Sequence, residues 1–188
     1  AVGTMGQSLR IEAIEIKLVD KGAQAPGKTT RPLVRGSLIK YRSGFSSDGW
    51  KPYVWEGNIS GALGDGKKME AIQIELTSNL YDGGIEYRSH IQNKGWESNF
   101  VKAGEISGNL GSGLRNEAIQ IRLYGDMANY LDVYYRVCVP NFGWLGWAKN
   151  GATSGTSGYG YRIEGYEVKL VNKNASAPGN TVNSYVQK

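Results

Sequence analysis

The chain has almost none of the residues on which disulfide, metal and nucleophilic chemistry depend. Its 188 residues include one cysteine, Cys138, and one histidine, His90. A single cysteine cannot form an internal disulfide, and no Cys/His cluster has the spacing of a zinc site. We therefore expect no metal, no cofactor and no internal disulfide, so that the fold depends on packing.

Long apolar runs and blocks of like charge are also missing. No apolar run reaches the roughly 18 residues that a membrane-spanning helix needs, which predicts no membrane insertion. The start, Ala1-Val2-Gly3, lacks the pattern of a signal peptide, and we expect the numbering to begin inside a longer protein. The formal net charge is +5, but basic and acidic residues alternate. This pattern predicts an ordinary solvated surface and no nucleic-acid partner.

A tandem repeat is the main feature of what is present. The segment Glu-Ala-Ile-x-Ile-x-Leu begins at Glu12, Glu70 and Glu117, and a looser copy begins at Glu164, with separations of 58, 47 and 47 residues. Each copy after the first follows a Tyr-Arg pair, a Gly-Trp pair, a further aromatic residue and a Gly-x-x-Gly group. Three complete units run from about 37 to 76, 83 to 123 and 131 to 170. A period of this length indicates one supersecondary unit per repeat.

The repeat divides the chain into three parts. Residues 1–19 hold the end of a preceding unit, because Gly3 and Gly6 occupy the Gly-x-x-Gly positions while the front half of the unit is missing. Residues 20–36 are predicted to be a linker with an Ala-Pro-Gly turn. Residues 37–188 are predicted to form a three-unit β domain with a C-terminal tail, 171–188. Because residues 18–29 resemble residues 170–181, we infer a larger period of three units followed by a tail.

Alternation of apolar and polar residues predicts β-strands throughout the units. In the Glu-Ala-Ile segments, Ile72, Ile74 and Leu76 and their equivalents, including 14, 16 and 18, are aliphatic with polar residues between them. The Tyr-Arg segments alternate likewise, which places Tyr inward and Arg outward. No stretch has a helical period. We predict an all-β fold with three units in one pseudo-threefold body, β-prism-like or β-trefoil-like, with open stacking as the competing arrangement.

The glutamate at the start of each Glu-Ala-Ile strand is an even number of positions from the aliphatic residues, so we expect it on the same, buried face of the strand. A half-buried carboxylate needs a cation or hydrogen-bond donors, and a basic residue lies two positions before each glutamate. We interpret these glutamates as structural ion pairs, since a catalytic group would not be needed in every unit. They are Glu70, Glu117 and Glu164, preceded by Lys68, Arg115 and Arg162.

Aromatic side chains are the candidates for ligand binding, because sugar rings stack their C–H faces on indole and phenol planes. The tryptophans that recur once per unit are interpreted as structural anchors in the core: Trp50, Trp96 and Trp144. Trp55 has no counterpart, since Lys102 and Lys149 hold its place, and it is expected to be exposed. The other candidates are the variable aromatics Tyr53, Phe100 and Trp147 and the outward arginines Arg42, Arg88 and Arg136.

Two stretches resemble the ChW repeat family, the clostridial hydrophobic repeats with a characteristic Gly-Trp. They are YRSHIQNKGW from Tyr87 to Trp96 and GQSLRIEAI from Gly6 to Ile14. The third unit departs from the pattern at residues 137–140 and at Gly165-Tyr166. The resemblance covers residues 37–170 and 4–18. It implies a noncatalytic module of an exported or surface protein of Gram-positive bacteria that binds polysaccharide or other macromolecules.

These observations favour a binding module over an enzyme. Nucleophile–base catalysis needs a histidine, and His90 lies at a strand position similar to that of Cys138 but in a different unit. We expect no catalytic residues and predict a secreted or cell-surface module that recognises a polysaccharide or cell-wall glycan through aromatic side chains. The alternatives are a protein-binding adhesion or scaffold array with a surface protein as partner, and a glycoside hydrolase accessory or catalytic domain.

Overall fold

A computed structural model describes residues 3–5, 14, 16–24, 33–78 and 80–188, with residues 3–5 and 33–35 described by their backbone alone. The chain divides into two compact units, residues 1–37 and residues 38–188. We refer to the second unit as the body. The predicted Ala-Pro-Gly turn and residues Gly6, Arg10 and Glu12 lie outside the described residues.

The described residues of the first unit include one parallel strand pair. Strand β1 (Gly3–Met5) pairs with β2 (Leu33–Arg35), with Gly3 opposite Leu33. Residues 16–20 are not in a strand, and Ile14, Ile16 and Leu18 are exposed. The predicted half-buried strand over residues 14–18 is therefore wrong. In every complete unit this segment pairs with a Tyr-Arg strand, and residues 1–36 contain no Tyr-Arg pair.

The body repeats one order of strands three times: a long strand, three short strands and a second long strand. The first repeat holds β3 (Ile39–Phe45), β4 (Gly49–Trp50), β5 (Val54–Trp55), β6 (Ser60–Gly61) and β7 (Met69–Leu76). The second holds β8 (Gly84–Ile91), β9 (Gly95–Trp96), β10 (Val101–Lys102), β11 (Ile106–Gly108) and β12 (Asn116–Tyr124). Helix α1 (Asp126–Tyr130) follows. The third holds β13 (Leu131–Val139), β14 (Gly143–Trp144), β15 (Ala148–Lys149), β16 (Ser154–Ser157) and β17 (Gly165–Asn172), and β18 (Tyr185–Gln187) lies in the tail.

Each repeat builds its own antiparallel sheet from its long strands. The pairs are β3 with β7, β8 with β12, and β13 with β17. The Gly-Trp strand folds back on the first long strand in every repeat, with Gly44 opposite Trp50 in the first. This confirms the predicted third strand of each unit and the all-β class. The short helix α1 is the one α-helix among the described residues.

The fourth strand of each repeat joins the sheet of another repeat, which closes the body into a ring. Strand β11 pairs with β7, β16 pairs with β12, and β6 pairs with β17. The register is the same each time, with Gly108 opposite Ala71, Gly155 opposite Ala118, and Gly61 opposite Gly165. Three separate sheets, each completed by a neighbour, agree with the prism-like alternative and exclude open stacking.

Glycine is required where one repeat crosses to the next sheet. Gly108 has φ of +94°, and a Cβ atom there would lie 2.2 Å from the carbonyl oxygen of Glu70. An L side chain is disfavoured at this dihedral angle and has no space at this distance. The close approach of two backbones therefore explains the first glycine of the recurring Gly-x-x-Gly group, while the second glycine of this repeat, Gly111, has open space around it and a positive φ of +86°.

The core lies inside the ring and is built from the inward positions of the long strands. Inward positions are fully buried in all three repeats, among them Ile72, Ile74, Ile85, Ile119, Val133 and Val168. Each buried aliphatic side chain contributes about 1.5–3 kcal/mol relative to an exposed one. The alternation predicted for these segments is thus confirmed in the three complete repeats.

The tail breaks the threefold repetition. Strand β18 pairs in parallel with β16, with Tyr185 opposite Gly155. Upstream of it, the Trp147 amide donates to the Asn180 carbonyl at 2.8 Å, and the Gly146 amide donates to the Asn183 carbonyl at 3.3 Å. The tail therefore packs on the third repeat.

Candidate functional site

The Tyr-Arg strands place the tyrosine in the core and the arginine on the outer face. Tyr41, Tyr87 and Tyr135 are fully buried, and their hydroxyl groups donate to the carbonyls of Asn58, Glu105 and Ala152 in the glycine loop of the same repeat. The amide of Val168 donates to the Tyr41 hydroxyl at 3.0 Å, and the amide of Ile74 donates to that of Tyr87 at 2.9 Å. Burial raises the pKa of all three phenols. These tyrosines join each glycine loop to the core and are not available to a ligand.

The outward arginine of each repeat lies between two aromatic rings, an arrangement that we call a clamp. The first clamp holds Arg42 at 4.5 Å from the Trp50 ring centre and 4.4 Å from that of Tyr53. The second holds Arg88 at 5.2 Å from Trp96 and 4.6 Å from Phe100. The third holds Arg136 at 4.7 Å from both Trp144 and Trp147. These separations are within the range of cation–π attraction.

Each clamp therefore joins one predicted binding arginine and one predicted binding aromatic residue with a tryptophan that was predicted as a core anchor. The predicted binding residues do not form one site. The three clamps lie on three different sheets of the body. Trp50, Trp96 and Trp144 are half-buried on the outer face, which differs from the interpretation of these indoles as core side chains. The reason is the strand parity: each tryptophan faces the outward arginine, while the inward tyrosine occupies the core.

The clamps differ in the group that anchors the arginine. Arg42 Nε donates to the Gln73 amide oxygen at 2.9 Å, and Arg88 Nε donates to that of Gln120 at 2.8 Å. In the third clamp Arg136 instead forms an ion pair with Glu167, at 2.8 and 2.9 Å. The arginine of the third clamp is thus neutralised by its anchor, whereas the first two are held by neutral amides.

The first clamp is held by internal hydrogen bonds. The Tyr53 hydroxyl donates to the carboxylate of Glu75, and it lies 2.9 Å from the Gln73 amide oxygen. Burial and the hydrogen bond to Glu75 raise the pKa of Tyr53 to about 12. Glu75 also pairs with Lys40 at 2.9 Å. The polar atoms of this clamp are therefore already occupied.

A groove of about 670 Å³ lies over the third clamp, between the third repeat and the tail. Its aromatic lining comes from Phe142, Trp144, Trp147 and Tyr185. The amide side chains in the lining are those of Asn180, Asn183 and Gln187, and the charged side chains are Arg136, Glu167 and Lys169.

The tail converts the third clamp into this groove. Trp147 is 5% exposed, whereas the equivalent Tyr53 and Phe100 are half-buried. A Cβ atom on Gly179 would lie 3.1 Å from the Trp147 indole nitrogen. The glycine therefore allows the tail backbone to pass directly beside the indole.

A second group of aromatic rings extends the groove at Phe142. Its ring lies 5.4 Å from that of Tyr159 and 6.1 Å from that of Tyr161, and the two tyrosines stack at 5.5 Å. Phe142 is 43% exposed. These residues were not among the predicted site residues, although the sequence holds a signal: the other repeats have Asp48 and Lys94 at the position of Phe142. A phenylalanine in a turn where other copies carry charges indicates an exposed contact.

Trp55 lies apart from the groove. It is in β5 of the first repeat, it is 55% exposed, and it is not among the groove-lining residues. Exposure was predicted from its lack of a counterpart, and the structure agrees.

The three repeated glutamates are buried where adjacent repeats meet. Glu70 accepts a hydrogen bond from the Gly111 amide at 2.6 Å, and Glu164 accepts one from the Gly64 amide at 3.2 Å. Glu117 and Glu164 pair with Arg115 and Arg162 at 2.7 and 2.6 Å. The predicted pair of Lys68 with Glu70 is not formed, because Lys68 donates to the carbonyl of Gly113 at 3.0 Å.

His90 and Cys138 do not form a catalytic pair. His90 Nδ1 lies 3.3 Å from the Glu117 carboxylate, and its ring contacts Trp96 edge-on at 5.4 Å. Cys138 is buried on β13 in another sheet, where burial raises the pKa of its thiol. Within the described part of the chain, no three His, Cys, Asp or Glu side chains are grouped to hold a metal ion. No described helix is long and apolar enough to span a membrane.

Comparison with known protein families identifies a family model that matches the chain. The family model ChW, Clostridial hydrophobic W, matches residues 1–20, 45–78, 90–125 and 138–172. The last three of these segments each include a Gly-Trp pair and a Glu-Ala-Ile-type strand, and they cover parts of all three repeats of the body. No curated protein and no solved structure matches the chain.

Proposed function

Because the chain belongs to the Clostridial hydrophobic W (ChW) repeat family, we propose that it is a noncatalytic binding module of a secreted or cell-surface protein. Its ligand in this proposal is a polysaccharide or cell-wall glycan, held in the groove over the third clamp. The single observation that carries the proposal is the groove itself, which combines four aromatic side chains with three amide side chains.

The chemistry of the lining supports a sugar ligand. Aromatic rings offer flat apolar faces to the C–H faces of pyranose rings, and amide side chains both donate and accept hydrogen bonds with hydroxyl groups. A cleft of about 670 Å³ is within the roughly 300–1,000 Å³ range of small-molecule sites. The Phe142, Tyr159 and Tyr161 rings continue the aromatic surface beyond the groove and suit a ligand longer than the groove.

The charges in the groove support binding and not hydrolysis. Glycoside hydrolases use two carboxyl groups on opposite sides of the scissile bond. Glu167 is the one carboxylate among the groove-lining residues, and it is paired with Arg136 at 2.8 Å. A single ion-paired carboxylate supplies neither the acid nor the nucleophile of that reaction.

The test compares two substitutions of exposed aromatic residues by lysine. Phe142→Lys introduces the residue that the second repeat has at this position, and Trp55→Lys introduces the residue that both other repeats have. Both changes remove an exposed ring and add one positive charge. Binding of purified chain to insoluble glycans and to Gram-positive cell-wall material is measured by co-sedimentation at several salt concentrations.

We expect Phe142→Lys to weaken glycan binding about tenfold, or about 1.4 kcal/mol, as the loss of an aromatic contact does. Trp55→Lys is expected to leave binding nearly unchanged. If Trp55→Lys weakens binding and Phe142→Lys does not, the ligand surface is in the first repeat and the groove is not the site. If neither glycans nor wall material is retained, but a surface protein is, the scaffold alternative replaces the glycan proposal.

A further inference from the structure

Residues 1–36 and 153–188 are two copies of one segment. Gly3 corresponds to Gly155, Leu18 to Leu170 and Val34 to Val186, a constant separation of 152 residues. Nearly half of the paired positions are identical, and the alignment needs no gap. The identical positions in the first copy are Gly3, Thr4, Gly6, Arg10, Ile11, Glu12, Glu15, Lys17, Leu18, Val19, Lys21, Ala23, Ala25, Pro26, Gly27, Thr29 and Val34.

The backbone pairing of the two copies is also the same. Strands β1 and β2 are parallel, with Gly3 opposite Leu33 and Met5 opposite Arg35. Strands β16 and β18 are parallel, with Gly155 opposite Tyr185 and Ser157 opposite Gln187. The two pairs thus have identical registers at the same separation in sequence. Since parallel pairs occur nowhere else in the described sheets, the agreement is specific to this segment.

In the body, residues 153–188 close the ring. Strand β16 lies between β18 and β12, with Gly155 opposite Ala118 and Ser154 opposite Ile119. Strand β17 pairs with β13 along eight residues. In the first unit, β1 pairs with β2 on one edge and with no described strand on the other. That second edge corresponds to the edge of β16 that binds β12.

We propose that residues 1–36 are an exchangeable closing segment, which occupies in a second copy of this chain the place of that copy's residues 153–188. Strand β1 then pairs with Ala118 and Ile119 of the second copy in the register of β16. The exchange keeps five groove-lining residues, which have an identical counterpart in residues 1–36: Glu167, Lys169, Pro178, Gly179 and Val186. It replaces the amides Asn180, Asn183 and Gln187 by Lys28, Arg31 and Arg35, and Tyr185 by Leu33, so the exchanged groove is more basic.

In the unaltered chain, residues 153–188, which we call the resident segment, make contacts with the rest of the body that residues 1–36 cannot make. Tyr166 is fully buried, donates its hydroxyl to the Arg42 carbonyl at 3.0 Å, and packs 5.1 Å from the Tyr41 ring. Ile14 corresponds to it in residues 1–36 and has no hydroxyl. Exchange is therefore expected to become dominant when the resident segment is disabled.

A substitution at Gly155 is expected to disrupt the pairing of residues 153–188 with β12. Gly155 has φ of +140°, and a Cβ atom there would lie 2.4 Å from the Ala118 Cα atom and from the Glu117 carbonyl oxygen. A valine at this position clashes with the backbone of β12 and weakens the β16 contact. Gly3 is the corresponding residue in the first copy.

The experiment uses the full chain with Gly155→Val, with Gly3→Val, and with both substitutions. We expect Gly3→Val to leave melting temperature and molecular mass unchanged. Gly155→Val is expected to form dimers or larger species whose melting temperature rises with protein concentration, as mass action requires. The double variant has no intact closing segment, and we expect it to melt roughly 10 °C or more below Gly155→Val.

Addition of a synthetic peptide with the sequence of residues 1–36 provides a second measurement. It should raise the melting temperature of the double variant, and the same peptide with Gly3→Val should not. Equal melting temperatures of the single and double Gly155→Val variants, together with no effect of the peptide, would overturn the proposal. A Gly155→Val variant that melts above the double variant but is monomeric at all concentrations would also contradict the proposal. Residues 1–36 would then replace residues 153–188 within the same chain and not in a second copy.

Discussion

The third clamp and the first two have the same arginine between two aromatic rings, but their surroundings differ. Arg42 and Arg88 are anchored by glutamine and do not line the groove beside the tail, whereas Arg136 is anchored by Glu167 and lines that groove. The buried tyrosines are the same in all repeats. The inward-facing side of the Tyr-Arg strands is therefore similar in all three repeats, whereas the outward-facing residues of the third repeat line a groove that the other two clamps do not line.

The largest expected difference between the clamps is in stability at the second aromatic position. Trp147→Ala removes a buried indole and should lower the free energy of unfolding by about 3–5 kcal/mol. Phe100→Ala removes a half-buried ring and should cost about 1–2 kcal/mol. Urea denaturation of both variants measures the difference. Equal losses would show that the tail does not enclose the third clamp in solution.

The next effect concerns a carboxylate that only the third repeat has. Asp132 is buried, and the first two repeats have Leu38 and Gly84 at its position. Burial raises its pKa, but hydrogen bonds from Lys149, Asn150, the Asn174 amide and Lys173 outweigh burial and hold the pKa well below its usual value. Asp132→Asn should cost about 2 kcal/mol at pH 7.

The pH dependence of that loss has a definite sign. Because the pKa of Asp132 is lower in the folded chain than in the unfolded chain, its stabilisation is present above about pH 4 and is lost as the pH falls further. The gap in melting temperature between wild type and Asp132→Asn should therefore narrow below pH 4. A gap that stays constant from pH 7 to pH 2 would contradict this assignment.

The smallest effect on stability is expected when Glu167, which anchors Arg136, is replaced by the glutamine that anchors the arginine in the other two clamps. Glu167→Gln replaces the half-buried ion pair by the amide contact found at Gln73 and Gln120, and should cost about 1 kcal/mol. The reverse change, Gln120→Glu, should alter stability by no more than this amount. Thermal unfolding at low and high salt measures the effects of both substitutions, because salt screens the attraction between Arg136 and Glu167 and so reduces the contribution of that ion pair. A loss above about 3 kcal/mol for Glu167→Gln would show that the anchors are not equivalent.

Several features of the fold could be predicted because they depend on local pattern. The two-residue alternation placed Tyr87 inside and Arg88 outside, and the repeat placed the turn before each Gly-Trp strand. The third strand of each unit and the threefold body follow from the same repetition. The interpretation of Trp96 as a core side chain did not hold, because recurrence alone does not distinguish a core position from a repeated surface contact.

The sequence by itself determined the number of repeats, the β-strand class, and the identity of the residues that recur. It also determined that residues 1–36 copy residues 153–188, since identity at one separation is a property of sequence alone. None of these conclusions depends on which strands of different repeats become neighbours.

Only the tertiary structure decided how the ring closes and where the groove lies. The glycine-loop strands pair with the sheets of other repeats, and the tail returns across Trp147 to cover one clamp of three. Both results depend on contacts between residues distant in sequence, for which the local pattern carries no information. Phe142 belongs to the groove for the same reason, because its neighbours Tyr159, Tyr161 and the tail are brought to it by folding.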